Sequence, residues 1–337
     1  MMRLPSFDYV APATIEAAVR ALGEAGPGGM LVAGGTDLYP NMKRRQFEPK
    51  TLVGLRAIKD LRGVSGTARE GVTIGACTTL TAVATHAGIA RDYPALAIAA
   101  GVVSSPQLRN MGTLGGNVCV DTRCNYYNQT FEWRKAIVFC MKKDGDICLV
   151  APSSDRCWAV SSSDTAPVLW SLGARVRLHG PGGERTIPVA ALFQDDGIQY
   201  LAKRADEIVT AITLPPAEGW RSVYLKLRRR GAFDFPILGV AAAVRLDGDV
   251  VREARVVLGA VASTPREAPK AAAALLGRPL TTETIEAAAE AAAGPARPLD
   301  NTDLTHPYRK KIARVYVARA LARLAGLDQG PAIEAIA

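Results

Sequence analysis

The chain has 337 residues, 48% of them apolar, and a net charge of +9. At roughly 100–200 residues per domain, that length gives two or three domains with real cores and excludes a largely disordered chain. Charged residues make up 22%, no apolar run approaches the roughly 18 residues needed to cross a bilayer, and Met1 to Ala21 lacks a continuous apolar signal segment, so a cytoplasmic protein with no membrane contact is expected.

The positive charge admits an acidic partner, but lysines and arginines are spread along the chain. The two short clusters, Arg228-Arg229-Arg230 and Arg309-Lys310-Lys311, read as solvated faces. With 6% aromatics and no zinc-finger, RNP-type or basic-zipper pattern, nucleic acid is not expected as a partner.

In chain order, the first element is a helix, because Ile15, Ala18, Val19 and Leu22 recur at three- and four-residue spacing before Gly23. A strand from Met30 to Ala33 runs into Gly34-Gly35-Thr36-Asp37, and a second apolar run follows from Thr51 to Leu55. Gly71 to Gly75 reads as a strand, Leu80 to Ile89 and Ala95 to Val102 as helices, and Gly112 to Asn117 as a second glycine-rich turn. Between Cys119 and Cys157 no period of 2 or 3.6 is sustained, which marks an insertion at about 119–158.

Alternation returns in Arg175 to Leu178, Ile208 to Leu214 and Ser222 to Arg228, with Pro215 to Gly219 as a hinge. In the last strand Val223, Leu225 and Leu227 face one way, so Tyr224, Lys226 and Arg228 face the other. A hairpin at Asp247-Gly248-Asp249 joins strands near Val240 to Leu246 and Val251 to Val261. Helices near Ala268 to Leu276, Thr284 to Ala293 and Tyr308 to Leu324 complete an α+β chain.

A glycine pair after a strand lets backbone approach a ligand closely and point its amides at phosphate oxygens. Leu31-Val32-Ala33-Gly34-Gly35-Thr36-Asp37 supplies one such turn and Thr113-Leu114-Gly115-Gly116-Asn117 another, with Asp37 and Asn117 placed to brace them. Taken singly, each is more often just a tight turn. Neither is a GxGxxG or GxxxxGK[ST] loop, which disfavours a Rossmann site and a Walker-type ATPase.

Together with Ser163-Asp164-Thr165-Ala166-Pro167, and in this order, the two turns resemble the FAD motifs of molybdenum hydroxylase flavoprotein subunits. That family includes the medium subunits of carbon monoxide dehydrogenase and bacterial xanthine dehydrogenase, and the likeness spans essentially the whole chain. It implies a two-subdomain FAD-binding domain over 1–216 and a smaller C-terminal sheet-and-helix domain over 217–337. It also implies that FAD lays its diphosphate and ribityl chain along Leu31 to Asp37 and Thr113 to Asn117. Asp164 would hold a polar part of the nucleotide, Lys226 would sit near the flavin ring, and Val103 and Ile208 would pack on the cofactor. Without the family, Lys226 reads as a solvated lysine on a strand face.

Five of the six cysteines fall within 39 consecutive residues, which in a reducing compartment points to a metal or redox centre rather than disulfides. Cys124, Cys140, Cys148 and Cys157 contain no Cys-x2-Cys pair, so spacing leaves zinc, an iron–sulfur cluster and scattered structural thiols all open. Arg123, Arg134, Lys142, Lys143 and Arg156 would offset the charge of four thiolates.

Asp121 to Gln129 and the four-cysteine spacing resemble one branch of the family, the β subunits of 4-hydroxybenzoyl-CoA reductases, whose insert carries a [4Fe-4S] cluster. This implies Cys124, Cys140, Cys148 and Cys157 as ligands. Cys119 then remains a thiol, and Cys77 reads as a small buried residue.

The same resemblance implies a molybdenum-cofactor large subunit, a small subunit with two [2Fe-2S] clusters, ferredoxin as donor and a dimer of heterotrimers. An acidic ferredoxin is expected to dock near the insert. His86, His179 and His306 are widely separated, and no acid–base pair or nucleophile suggests independent catalysis. The alternatives are an FAD subunit of a xanthine- or aldehyde-type dehydrogenase passing electrons outward, and a zinc-stabilised FAD-binding module without a redox role.

Overall fold

The computed structural model describes residues 3–328 and the backbone of Ile333–Ala335. The first subdomain comprises β1 (Asp8–Val10), α1 (Ile15–Ala25), β2 (Gly29–Val32), α2 (Leu38–Lys43) and β3 (Thr51–Gly54), with its parallel strands ordered β1-β3-β2. Thr14 caps α1 by accepting from the Ala17 amide, and Ala18, Val19 and Leu22 bury the apolar stripe against Val53 and Leu55. The helix does not stop at Gly23. It runs two residues further to Ala25 and is closed by Gly26, whose amide donates to the Gly23 and Leu22 carbonyls and whose φ of 54° then turns the chain out of the helix.

The second subdomain begins with β4 (Val64–Thr67) and β5 (Gly71–Gly75), followed by α3 (Leu80–Thr85), α4 (Ala87–Asp92), α5 (Pro94–Gly101), α6 (Pro106–Arg109) and α7 (Leu114–Val118). The insert contributes α8 (Phe131–Ala136), after which α9 (Thr165–Ser171), β6 (Arg175–Gly180), β7 (Gly183–Pro188) and β8 (Ile208–Leu214) complete an antiparallel sheet ordered β4-β5-β8-β6-β7. The single helix expected over Leu80 to Ile89 is two, because His86 takes extended backbone and its Nδ1 accepts from the Ile89 amide, starting α4. The turn at Gly112 to Asn117 is likewise the start of α7, capped by Thr113. Helix α5 is apolar on all sides and is correspondingly buried, packed against α3, α9 and the C-terminal sheet.

The C-terminal domain carries β9 (Trp220–Arg228), β10 (Leu238–Asp247), β11 (Val250–Gly259), β12 (Arg266–Glu267), α10 (Pro269–Leu275), α11 (Thr282–Ala292), α12 (His306–Leu324) and β13 (Ile333–Ala335). Its sheet order is β12-β11-β10-β9-β13, with β13 parallel to β9 and the other pairs antiparallel. Val223, Leu225 and Leu227 join the core beneath α10, α11 and α12, while Tyr224 and Ala241 join the core of the second subdomain. Both faces of the sheet are thus covered. Arg228 and Arg309 are buried by the same packing, which corrects the solvated reading for these two, while Arg229, Arg230, Lys310 and Lys311 are exposed as expected.

Candidate cofactor sites

The first glycine turn follows β2. The amides of Gly34, Gly35, Thr36 and Asp37 have no acceptor among the described residues, and Gly35 takes a φ of 70°, a run of free donors suited to phosphate oxygens. Asp37 braces it by accepting from Asn41 Nδ2 at 3.0 Å and pairing with Arg123. A Cβ at Gly34 would stand 2.1 Å from the Met111 carbonyl oxygen and 3.0 Å from Gly112 Cα. The two glycine turns therefore lie against each other, and only glycine permits it. Gly34→Ala is expected to push them apart, lowering FAD content several-fold in purified protein. Full FAD occupancy in that variant would show that the contact is not needed.

In the second turn Thr113 Oγ1 accepts from the Gly116 amide at 3.1 Å, and Gly115 N donates to the Ala76 carbonyl at 2.9 Å. Asn117 Oδ1 accepts from Ser163 Oγ at 2.9 Å, Thr165 Oγ1 at 2.7 Å and the Thr165 amide at 3.2 Å. That ties the turn to the segment bearing Asp164.

Asp164 is buried, and its carboxylate accepts from Tyr224 Oη and Lys226 Nζ, each at 2.8 Å. Lys226 is fully buried and also donates to the Val102 carbonyl at 3.2 Å, beside Val103. Burial pushes the Asp164 carboxyl up and the Lys226 ammonium down, and each is opposed by the other's charge. The solvated reading of Lys226 is thereby corrected.

The fold thus brings together Leu31 to Asp37, Val103, Thr113 to Asn117, Asp164 and Lys226. Ile208 is enclosed with Ala18, Val19, Leu22 and Cys77 in the first subdomain's core, against which Leu31 and Ala33 before the first glycine pair also pack. Arg228 was not singled out from sequence, although it shares the Lys226 face two residues on; its Nη1 donates to the Val102 carbonyl at 3.1 Å.

Cys124, Cys140, Cys148 and Cys157 are buried free thiols that line one cavity with Tyr127 and Lys142. The space they enclose is small, a cavity of about 10 Å³. Burial pushes the Cys124 thiol up to about 12 and the Cys157 thiol up to about 11. The Ala159 amide donates to Cys157 Sγ at 3.4 Å, a bond that favours a charged sulfur. Among the described residues, no group of three or more His, Cys, Asp or Glu side chains is arranged to hold a metal ion. Cys119 ends α7 and lies outside the cavity lining.

Of the five nearby cations, Lys142 forms part of the cavity wall. Its Nζ donates to Asp121 Oδ1 at 2.8 Å, Thr122 Oγ1 at 2.7 Å and the Gly197 carbonyl at 2.5 Å. The others are engaged further out, Arg123 by Asp37, Arg134 by Asp144, Lys143 by Asp144 and Arg156 by Asp195.

Two opposed glycine turns joined to a third polar segment, with a separate sheet-and-helix domain closing over the Asp164–Lys226 pair, define a nucleotide-cofactor-binding subunit. Residues 5–217 match the FAD binding domain in molybdopterin dehydrogenase, and residues 222–324 match the CO dehydrogenase flavoprotein C-terminal domain. The chain belongs to this family and is an FAD-binding oxidoreductase subunit.

It is 30% identical over 321 residues to the carbon monoxide dehydrogenase medium chain of Hydrogenophaga pseudoflava, covering 94% of this chain and 96% of that one. It is 34% identical over 248 residues to the aldehyde oxidoreductase FAD-binding subunit of Escherichia coli, covering 71% and 76% respectively. A solved structure of carbon monoxide dehydrogenase from Hydrogenophaga pseudoflava superimposes with a TM-score of 0.79 over 95% of this chain and 97% of that one, at 30% identity. The α+β fold read from sequence is the fold found.

Proposed function

We propose that this chain is an electron-relay subunit that carries a [4Fe-4S] cluster on Cys124, Cys140, Cys148 and Cys157 beside its FAD. The observation behind this reading is the convergence of four thiols from one short stretch, residues 124–157, on one buried cavity. Four thiolates would equally hold a single zinc at about 2.3 Å from each sulfur, so the choice of cluster over zinc rests on the likeness of residues 121–129 and of the cysteine spacing to the branch described above. A cubane cluster would take one thiolate on each iron.

FAD, when bound, exchanges electrons singly or in pairs. For the flavin site, the amides of Gly34 to Asp37 and the turn capped by Thr113 would take the diphosphate and ribityl chain. The Asp164–Lys226 pair would face the polar part of the nucleotide and ring, with Val103 beside it.

In this reading, substrate chemistry lies on a molybdenum-cofactor large subunit, and a small subunit with two [2Fe-2S] clusters completes each half of a dimer of heterotrimers. Electrons from ferredoxin pass through the cluster and FAD toward molybdenum for the reductive dehydroxylation of 4-hydroxybenzoyl-CoA, a choice supported by the likeness of residues 121–129 to that branch. A second reading sends electrons outward, and the names of the relatives, carbon monoxide dehydrogenase and aldehyde oxidoreductase, favour it.

The assembled complex separates the two. With reduced ferredoxin it is expected to convert 4-hydroxybenzoyl-CoA to benzoyl-CoA. Oxidation of an aldehyde or xanthine with reduction of an added acceptor, and no dehydroxylation, would establish the outward reading instead.

A further inference from the structure

The loop between α11 and α12 belongs to the C-terminal domain, yet it reaches the insert at two points. The Asn301 carbonyl accepts from the Asn125 amide at 2.8 Å, and Asn301 Nδ2 donates to the Trp158 carbonyl at 2.5 Å. Asn125 directly follows Cys124, and Trp158 directly follows Cys157. One buried residue therefore joins the backbone beside two cysteines that are far apart in the chain.

Behind it stands Arg309, in the first turn of α12 and fully buried. Its Nη1 donates to the Leu299 carbonyl at 2.9 Å and to Asn301 Oδ1 at 3.3 Å, and its Nη2 donates to the Ala260 carbonyl at 2.5 Å. No carboxylate lies within ion-pair distance among the described residues, so the hydrogen bonds of this buried cation go to main-chain and amide oxygens of 260, 299 and 301, and its Nε has no acceptor. Burying a guanidinium away from a direct ion pair is unfavourable, a cost that the charges of Asp300 and Asp303 on the same loop oppose from further off. Two further bonds run the same way. The Ser161 amide donates to the Ala262 carbonyl at 2.9 Å, and Ser263 Oγ donates to the Cys157 carbonyl at 3.4 Å.

We infer that Asn301, held by Arg309, is a positioning residue for the cysteine site, so that the C-terminal domain braces the backbone beside the metal centre from outside its lining as well as closing over the flavin side. The inference rests on the [4Fe-4S] reading. It assigns the spacing of Cys124 relative to Cys157 to a residue outside the insert, where removal of the side chain leaves all four thiols in place.

The test compares the anaerobically purified full chain with Asn301→Ala, Arg309→Met and Arg309→Lys, measuring iron, acid-labile sulfide and FAD per chain, the EPR spectrum after reduction, and iron release to a chelator. Asn301→Ala is expected to keep its FAD, to change the EPR signal and to release iron about tenfold faster or more, the usual effect of losing an outer partner of a metal ligand. Arg309→Lys should fall between wild type and Arg309→Met. Unchanged EPR and release kinetics in Asn301→Ala would overturn the inference, and parallel loss of FAD and iron would do so as well, by making Asn301 a determinant of the whole fold. A wild-type chain with FAD but no iron would instead remove the cluster reading on which the inference stands. If Arg309→Met yields no folded protein, Asn301→Ala decides.

Discussion

Lys226→Met is expected to lower stability by about 3–5 kcal/mol and to strip most of the FAD from purified protein. The substitution keeps most of the side chain's length but leaves Asp164 buried beside Tyr224 with its main countercharge gone, and breaking one side of a buried ion pair carries a cost of that size. Asp164→Asn should be milder, because the amide oxygen still accepts a hydrogen bond although Lys226 then stands unpaired. In Lys226→Met combined with Asp164→Leu, stability should partly recover, since a buried pair replaced by apolar groups is often near neutral, while FAD binding should not. Thermal unfolding and flavin stoichiometry read both effects. A Lys226→Met chain within about 1 kcal/mol of wild type and fully loaded with FAD would show that the pair neither holds the domains together nor serves the flavin site.

Cys140→Ala is expected to lose most of its iron while keeping FAD near wild-type content. The insert is fixed to the body by Arg123 with Asp37, by Lys142 with the Gly197 carbonyl, and by Asn301, none of which involves a thiol. Its peptide turn is also internally closed, with the Cys140 carbonyl accepting from the Lys143 and Gly145 amides at 2.9 and 3.2 Å. Loss of one ligand should therefore empty the cavity without unfolding the flavin domain. Retention of the full iron content would remove Cys140 from the ligand set, and loss of FAD together with iron would mean that the two sites fold as one.

The elements easiest to read were those with one clear period. Gly71–Gly75 and Ile208–Leu214 appear with the expected bounds, because each alternates or runs apolar between turn residues and packs in the middle of its sheet. β7 went unread, since at the sheet edge its residues are mostly exposed and polar and carry no periodic signal.

Alternation in β9 was read as one wet face. Lys226 is buried because the second face of that sheet packs on α5 and α9, a fact of domain docking that a single strand does not encode. The cysteine spacing announced a metal or redox centre but not its shape, as the four thiols meet only through tertiary folding. Asn301 and Arg309 were unreadable for a related reason. Most of their partners are backbone carbonyls and amides of distant segments, and such bonds leave no mark in the identity of the partner residues.

The claim at the centre, a flavin subunit with its own iron–sulfur centre, is tested most directly by metal and cofactor analysis. Iron, acid-labile sulfide and flavin are measured in the anaerobically purified chain, together with its EPR spectrum after reduction. The expected result is about four iron, about four sulfide and about one FAD per chain, with a cluster signal that appears on reduction. An FAD-loaded chain containing zinc, or no metal at all, would contradict it.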